Sequence, residues 1–204
     1  FNGDDEFSLI DPDHKTDYLD FIKESISMAL KLRSKSLTIH SNALDSKGKV
    51  RNRYNNIPDA VKLATMKATL KKCTTLAEKA KITLNLEALN IITDHVGNYL
   101  SSTQLAADLT RKIASPNLKI LYDVYHMQLN EGNLVNNLVA NIDQIGHIHV
   151  ADVPGRHEPG TGEINYPFIF STLKKLRYSR LVGFELFPRQ SSKEAVKAIQ
   201  KSLT

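Results

Sequence analysis

The sequence predicts an α/β fold of the TIM (β/α)8-barrel type, in which each parallel strand is followed by a helix. Helical and strand patterns alternate along the chain, which is typical of parallel sheets covered by helices. The strand patterns are rich in Ile, Leu and Val, as expected for strands that are buried on both faces. Four of these patterns end in a carboxylate or near an imidazole, and barrels place their functional groups at the C-terminal ends of the strands.

Six helices are expected from apolar residues that recur at spacings of three and four positions. Proline suits a first helical turn, and a Ser-x-x-Glu sequence can form a capping box. These signals place the helices at residues 14–33, after Pro58, after Ser101, around Leu134 to Ile142, from Pro167 and after Ser191.

Five strands are expected between the helices, at residues 36–40, 82–87, 117–123, 145–151 and 181–185. A complete barrel takes about 250 residues, whereas this chain has 204. We therefore expect one domain over residues 1–204 that corresponds to the fourth to eighth strands of a barrel and lacks the first three. The alternative is an open partial barrel that must protect its sheet edges. A dinucleotide-binding sheet is disfavoured because no glycine-rich turn follows the first strand.

Composition predicts a globular protein of the cytoplasm. The apolar fraction of 41% and the charged fraction of 24% are ordinary, no apolar run could cross a membrane, and the acidic N-terminus is unlike a signal peptide. The single cysteine, Cys73, excludes an internal disulfide and is expected to be a packed core residue. The net charge of +5 is spread over helices, so nucleic-acid binding is not expected.

The residues at the strand ends predict a metal site. Glu87, Asp123, His149 and Glu185 are separated by 36, 26 and 36 residues, and each interval is about one βα unit. Three carboxylates and one imidazole suit Mg²⁺ or Mn²⁺, with Zn²⁺ or Co²⁺ as further candidates. The alternative for each acid is a surface salt bridge or a helix cap, but three unpaired carboxylates at one rim would repel each other without a cation.

Three further side chains are expected to contact a small-molecule substrate. His126 lies three residues beyond Asp123 and could bind a substrate oxygen that gains charge, or else support its neighbours. Arg156, in a glycine-rich loop, has the planar fork that binds a carboxylate. His95 follows the strand that ends at Glu87.

The other histidines are interpreted more simply. His147 has the same side-chain parity as His149, and His149 is preferred as the ligand because it lies nearer the C-terminal end of the strand. His40 and His157 are expected to be ordinary exposed residues.

At these residues the chain resembles the hydroxypyruvate isomerase family, within the xylose isomerase-like TIM barrels. The most specific segment is Pro-Gly-Arg-His-Glu-Pro-Gly-Thr-Gly-Glu at residues 154–163, and residues 86–90, 121–128, 146–152 and 182–185 also match. The resemblance implies a divalent metal held by Glu87, Asp123, His149 and Glu185, with Glu87 and Glu185 as acid and base. Related epimerases use a histidine and an arginine that match His126 and, offset by one position, Arg156.

The resemblance implies isomerisation of a small hydroxy-carbonyl compound, such as hydroxypyruvate to tartronate semialdehyde, through an enediolate. Three alternatives remain open at this point. They are a ketose 3-epimerase of the same superfamily, an endonuclease IV-like DNA repair enzyme, and a non-catalytic carbohydrate-binding protein or inactive fragment. The protein could also form a homo-oligomer.

Overall fold

The computed structural model describes residues 6–203, in which strands and helices alternate. The five strands are β1 (Ser36–Ile39), β2 (Thr83–Glu87), β3 (Leu118–Asp123), β4 (Ile145–Val150) and β5 (Leu181–Phe184). The helices are α1 (Lys15–Lys31), α2 (Asp59–Ala80), α3 (Thr103–Ile113), α4 (Val124–Asn130), α5 (Leu134–Asn141), α6 (Tyr166–Lys175) and α7 (Ser192–Ser202). All five predicted strands are present, and each differs from its predicted bounds by one residue at one end.

The strands form one parallel sheet in the order β1-β2-β3-β4-β5. Each strand therefore pairs with its neighbours in sequence, as in a barrel, and the described residues form half of a barrel with the helices outside. The fold class that the sequence predicts is confirmed. Among residues 6–203 no helix is both long and apolar enough to cross a membrane.

The core lies between the sheet and the helices. Alternate residues of β2 and β3, among them Leu84, Leu86 and Tyr122, are fully or almost fully buried there, because successive side chains of a strand point to opposite faces. Cys73 of α2 is also fully buried, which confirms that it is a packed core residue. Burial raises the pKa of its thiol to about 12.

An irregularity in β4 sets which of its side chains face the barrel interior. Ile120 pairs with Ile145, whereas Leu121 pairs with His147, so the pairing skips Gly146. Without this bulge Asp123 would lie beside Ile148, and His149 would point to the opposite face. A side chain at Gly146 is not tolerated, because its Cβ would clash with the side chains of Asn85 and Lys119.

Helix α4 was not expected from the sequence. It begins directly after β3, and Oδ1 of Asp123 accepts a hydrogen bond of 3.0 Å from the backbone N–H of His126. This is an N-cap in which the last residue of the strand starts the helix. The helix has only seven residues, too few for a helical apolar period to stand out from the buried strand before it. His126 is therefore in a first helical turn.

Candidate functional site

Four polar side chains at the C-terminal ends of β2 to β5 converge on one point. One carboxylate oxygen or ring nitrogen from each of Glu87, Asp123, His149 and Glu185 lies within 4.8 Å of the others. Nδ1 of His149 is 3.7 Å from Oε1 of Glu87, 3.8 Å from Oδ2 of Asp123 and 3.5 Å from Oε2 of Glu185. The structure thus brings together the four residues that the sequence singles out, and their role as metal ligands stays a prediction.

The donor atoms in this cluster form poor hydrogen bonds with one another but are of the types that bind a cation. Oε1 of Glu87 and Nδ1 of His149 are buried, and neither has a hydrogen-bond partner among the described residues. Buried polar atoms without partners are costly, and distances of 3.5–3.8 Å are too long for hydrogen bonds. Three carboxylates and one imidazole around a common point match the ligand set of a divalent metal ion.

The charges of the cluster shift the pKa values of its members in opposite directions. Burial and the nearby charge of Glu87 raise the pKa of Asp123. Burial would also raise the pKa of Glu87, but His149 and His40 hold it well below its usual range. Burial lowers the pKa of His149, yet the carboxylates of Glu185 and Glu87 outweigh it and raise this pKa to about 10. The shifts differ in direction because an imidazole gains from nearby carboxylates, whereas a buried carboxylate is disfavoured by burial and by a second carboxylate.

His40 belongs to the site, and its interpretation as an ordinary exposed residue is wrong. Its Nε2 lies 2.9 Å from Oε2 of Glu87, and its side chain is half-buried. The histidine follows β1 directly, which is the same position that Glu185 has after β5. That shared position is the signal that could have identified His40 from the sequence.

Arg156 lies beside the cluster rather than apart from it. Its guanidinium forms an ion pair with Glu185, and Nη2 is 3.9 Å from Oδ2 of Asp123. The guanidinium carbon also lies 5.1 Å from the centre of the Tyr125 ring, a cation–π contact. The expected carboxylate clamp is thus already paired with a carboxylate of the protein, and its contact with a substrate stays a prediction.

Asp152 organises the loop that carries Arg156, and sequence reasoning missed it. This carboxylate is fully buried and accepts four backbone N–H groups, from Val153, Gly160, Gly162 and Ile164, at 2.9–3.1 Å. Charge-assisted hydrogen bonds of this kind are strong. No local pattern marks the role, because three of the four donors are 8–12 residues away.

His157 ties the same loop to the segment after β5, and the expectation that it is an ordinary exposed residue is wrong. Nδ1 of His157 donates to the carbonyl oxygen of Phe187 at 2.6 Å. The backbone N–H of Phe187 donates to the carbonyl oxygen of Arg156 at 2.8 Å. The loop and the chain after Glu185 are therefore joined next to the ion pair of Arg156 and Glu185.

The remaining candidates line a cavity of about 260 Å³ above the cluster. His126 is almost fully buried, and its ring packs edge to face against His95 at 5.1 Å. His95 donates from Nδ1 to the carbonyl oxygen of Gly48 at 2.6 Å. His147 is outside the cavity lining and packs against His149 at 4.9 Å. The cavity is lined by Thr38, His40, Leu44, Glu87, Leu89, His95, His126, His149, Arg156 and Glu185.

Known proteins resemble this chain in sequence and fold. A family model described as xylose isomerase-like TIM barrel matches residues 1–203. Hydroxypyruvate isomerase of Escherichia coli is 38% identical over 134 residues, which are 66% of this chain and 52% of that protein. The 2-oxo-tetronate isomerase of Pectobacterium atrosepticum is 44% identical over 101 residues, which are 48% of this chain and 38% of that protein. The matches thus span about half of these relatives or less.

The fold is also found among solved structures. The crystal structure of AP endonuclease, family 2 from Brucella melitensis superposes with a TM-score of 0.82 at 24% identity, covering 92% of this chain and 69% of that one. At 24% identity this similarity supports a shared fold and gives no information about activity.

Proposed function

This chain belongs to the xylose isomerase-like TIM barrel family, and on that premise we propose that it is a metal-dependent isomerase. The proposed substrate is a small hydroxy-carbonyl compound of the hydroxypyruvate or tartronate semialdehyde type. Relatives at 38% and 44% identity are named hydroxypyruvate isomerase and 2-oxo-tetronate isomerase. Both names describe isomerases of small hydroxy-carbonyl acids, which favours this reaction over epimerisation of a longer sugar.

The observation that carries the proposal is the pair of glutamates in one cluster. Glu87 and Glu185 both contribute an oxygen to the group of four side chains, and both line the cavity. Isomerisation needs one group that removes a proton from carbon and one that returns a proton to the neighbouring carbon. Two carboxylates on either side of a small cavity can divide these tasks.

The protein's own groups would act as follows. One glutamate takes a proton from the hydroxyl-bearing carbon, which leaves an enediolate, and later releases this proton to solvent. The other glutamate takes up a proton from solvent and delivers it to the former carbonyl carbon. The hydroxyl proton moves to the former carbonyl oxygen, so that atoms and charge balance. A divalent cation held by Glu87, Asp123, His149 and Glu185 would supply Lewis acidity and offset negative charge at the substrate oxygens.

Neighbouring side chains would orient these two glutamates. His40 donates to Oε2 of Glu87 and leaves Oε1 directed at the cluster. Arg156 forms an ion pair with Glu185. His149, and to a smaller extent Arg156, lower the pKa of the Glu185 carboxyl against the effect of burial. Both glutamates are thereby kept ionised and available as bases near neutral pH.

The test is exchange of substrate hydrogen with solvent deuterium. We expect hydroxypyruvate to exchange its C3 hydrogens in D₂O with Mg²⁺ or Mn²⁺ present, and the rate to fall with a chelator. Glu185→Gln should lower the exchange rate about 10²- to 10⁴-fold, because it removes an acid–base group. Glu194→Gln, on the surface of α7, is the matched control and should keep the wild-type rate.

Full exchange in Glu185→Gln would contradict the proposal. Activity assays with ketoses and with abasic-site DNA as substrates would distinguish the three alternative functions. Turnover of a ketose at C3 would indicate an epimerase, strand cleavage would indicate a repair enzyme, and metal binding without turnover would indicate a binding protein.

A further inference from the structure

A chain of hydrogen bonds runs from the half-buried Asp94 through Asn90 to His126. Nδ2 of Asn90 donates to Oδ2 of Asp94 at 2.8 Å and lies 2.7 Å from Nδ1 of His126. Asn90 is fully buried, and His126 is almost fully buried. Because water has little access to Asn90 and His126, the protein alone decides the direction of the hydrogen bond between them.

The orientation of the Asn90 amide is fixed by its oxygen. Oδ1 accepts hydrogen bonds of 3.1 Å from the backbone N–H groups of Thr93 and Asp94 and from the hydroxyl of Thr93. A backbone N–H can only donate, so a flipped amide would place donors against donors. The NH₂ group of Asn90 therefore faces both Asp94 and His126.

This arrangement determines which nitrogen of His126 carries the proton. An NH₂ group can only donate, so Nδ1 of His126 must accept, and the ring proton lies on Nε2. We propose that Asn90 is a positioning residue that holds His126 as the Nε2–H tautomer, with its proton directed toward the metal cluster and the cavity.

The same residues do not form a second metal site. Asp94, His95 and His126 have atoms of metal-ligand type within 4.8 Å of one another. However, the Asn90 amide occupies Oδ2 of Asp94 and Nδ1 of His126, and Nδ1 of His95 donates to Gly48. These hydrogen bonds explain the grouping without a cation.

The tautomer has a consequence for catalysis that rests on the proposed function. Nε2 of His126 lies 3.7 Å from Oδ2 of Asp123, too far for a hydrogen bond, so its proton remains available to a substrate oxygen. A donor aimed at an oxygen that gains negative charge stabilises the transition state. With the proton on Nδ1 instead, Nε2 would offer a lone pair to that oxygen and the donor would be lost.

The experiment compares two variants that differ in one hydrogen bond. In Asn90→Asp/Asp94→Asn the amide and the carboxylate exchange places, so residue 90 becomes an acceptor toward His126 and can still bind the N–H groups of residues 93 and 94. The matched control is Asp94→Asn alone, in which Asn90 still donates to His126. Circular dichroism and thermal unfolding of both variants check that they are folded.

The first readout is the ¹⁵N NMR spectrum of the His126 ring, which distinguishes the two tautomers without any activity. We expect the proton on Nε2 in the wild type and in Asp94→Asn, and on Nδ1 in the double variant. A wild-type ring protonated on Nδ1, or a folded double variant with an unchanged ring, would overturn the proposal, whatever the enzymatic activity is.

The second readout is steady-state kinetics of the isomerase reaction with metal present. We expect kcat to fall about 100-fold in the double variant, comparable to the loss of one donor to a charged oxygen, with KM changed less than kcat. Asp94→Asn should keep kcat within about threefold of the wild type. An altered tautomer with unchanged kcat would refute the catalytic consequence, and absence of turnover in the wild type would count against the proposed function and leave the NMR result standing.

Discussion

The two sides of the candidate site are built differently although they contribute the same type of side chain. On the side of β2 and β3, Glu87 and Asp123 are 5% and 1% exposed, and hydrogen bonds from His40 and from the first turn of α4 hold them. On the side of β5, Glu185 is 53% exposed and lies beyond the end of a four-residue strand. On the buried side, the protein interior holds the carboxylate oxygens in place. On the exposed side, the position of Glu185 depends on its ion pair with Arg156 and on the loop that Asp152 organises.

Ligands of the same chemical type can therefore contribute different free energies to metal binding. A charge on the buried side has lost most of its hydration and depends on its partners. A charge on the exposed side is partly solvated, and its ion pair is screened. Changes on each side of the site should therefore differ in the size of their effects.

The largest effect is expected for metal affinity in Glu87→Gln. Removing one charge from a buried, unsolvated cluster should weaken Mn²⁺ binding about 10²- to 10³-fold, because the loss is of the size seen when a buried ion pair is broken. Glu185→Gln should weaken it only about tenfold, since water can replace part of that interaction. Isothermal titration calorimetry measures both values, and equal losses would show that the two sides do not differ.

The next effect is on stability, in Asp152→Ala. Four backbone N–H groups, two of them in buried hydrogen bonds, would lose their acceptor, so the free energy of unfolding should fall by about 3 kcal/mol. Urea unfolding gives the value, and Asp20→Ala, which removes an exposed carboxylate paired with Lys23, should change it by less than about 0.5 kcal/mol. A loss of similar size in both variants would mean that Asp152 does not organise the loop.

A smaller effect is expected for Arg156→Lys, which keeps the charge and removes the planar fork. Glu185 should be held less firmly, and kcat/KM should fall about tenfold with metal affinity nearly unchanged, because a lysine does not replace a forked arginine contact. Arg180→Lys, outside the cavity lining, serves as the control. Wild-type kinetics in Arg156→Lys would show that the contact of Arg156 with Glu185 does not contribute to the reaction.

The smallest effect concerns Cys73, behind the buried side. Its thiol is fully buried, and burial raises its pKa to about 12, so little thiolate is present at pH 8. We expect no modification by a thiol reagent at pH 8 in the folded protein and full modification in denaturant. Fast labelling under native conditions would show that the core opens on the side that is expected to be rigid.

The sequence was sufficient to predict the strands and their polar ends. Residues 82–86 show a regular alternation in which Thr83 and Asn85 separate apolar residues, and the carboxylates that follow such strand patterns stand out against that background. Three other features of the site are not marked by the apolar pattern. The bulge at Gly146 depends on close approach to Asn85, the role of Asp152 on donors from the far end of its loop, and helix α4 on capping by a strand residue.

The most direct test of the central claim is to locate a bound cation. Crystals of the chain soaked in Mn²⁺ should show one anomalous peak enclosed by Glu87, Asp123, His149 and Glu185, and the peak should be lost in Glu87→Gln. A peak beside Asp94 and His95, or no peak in the wild type at millimolar Mn²⁺, would contradict the assignment of this cluster as the metal site.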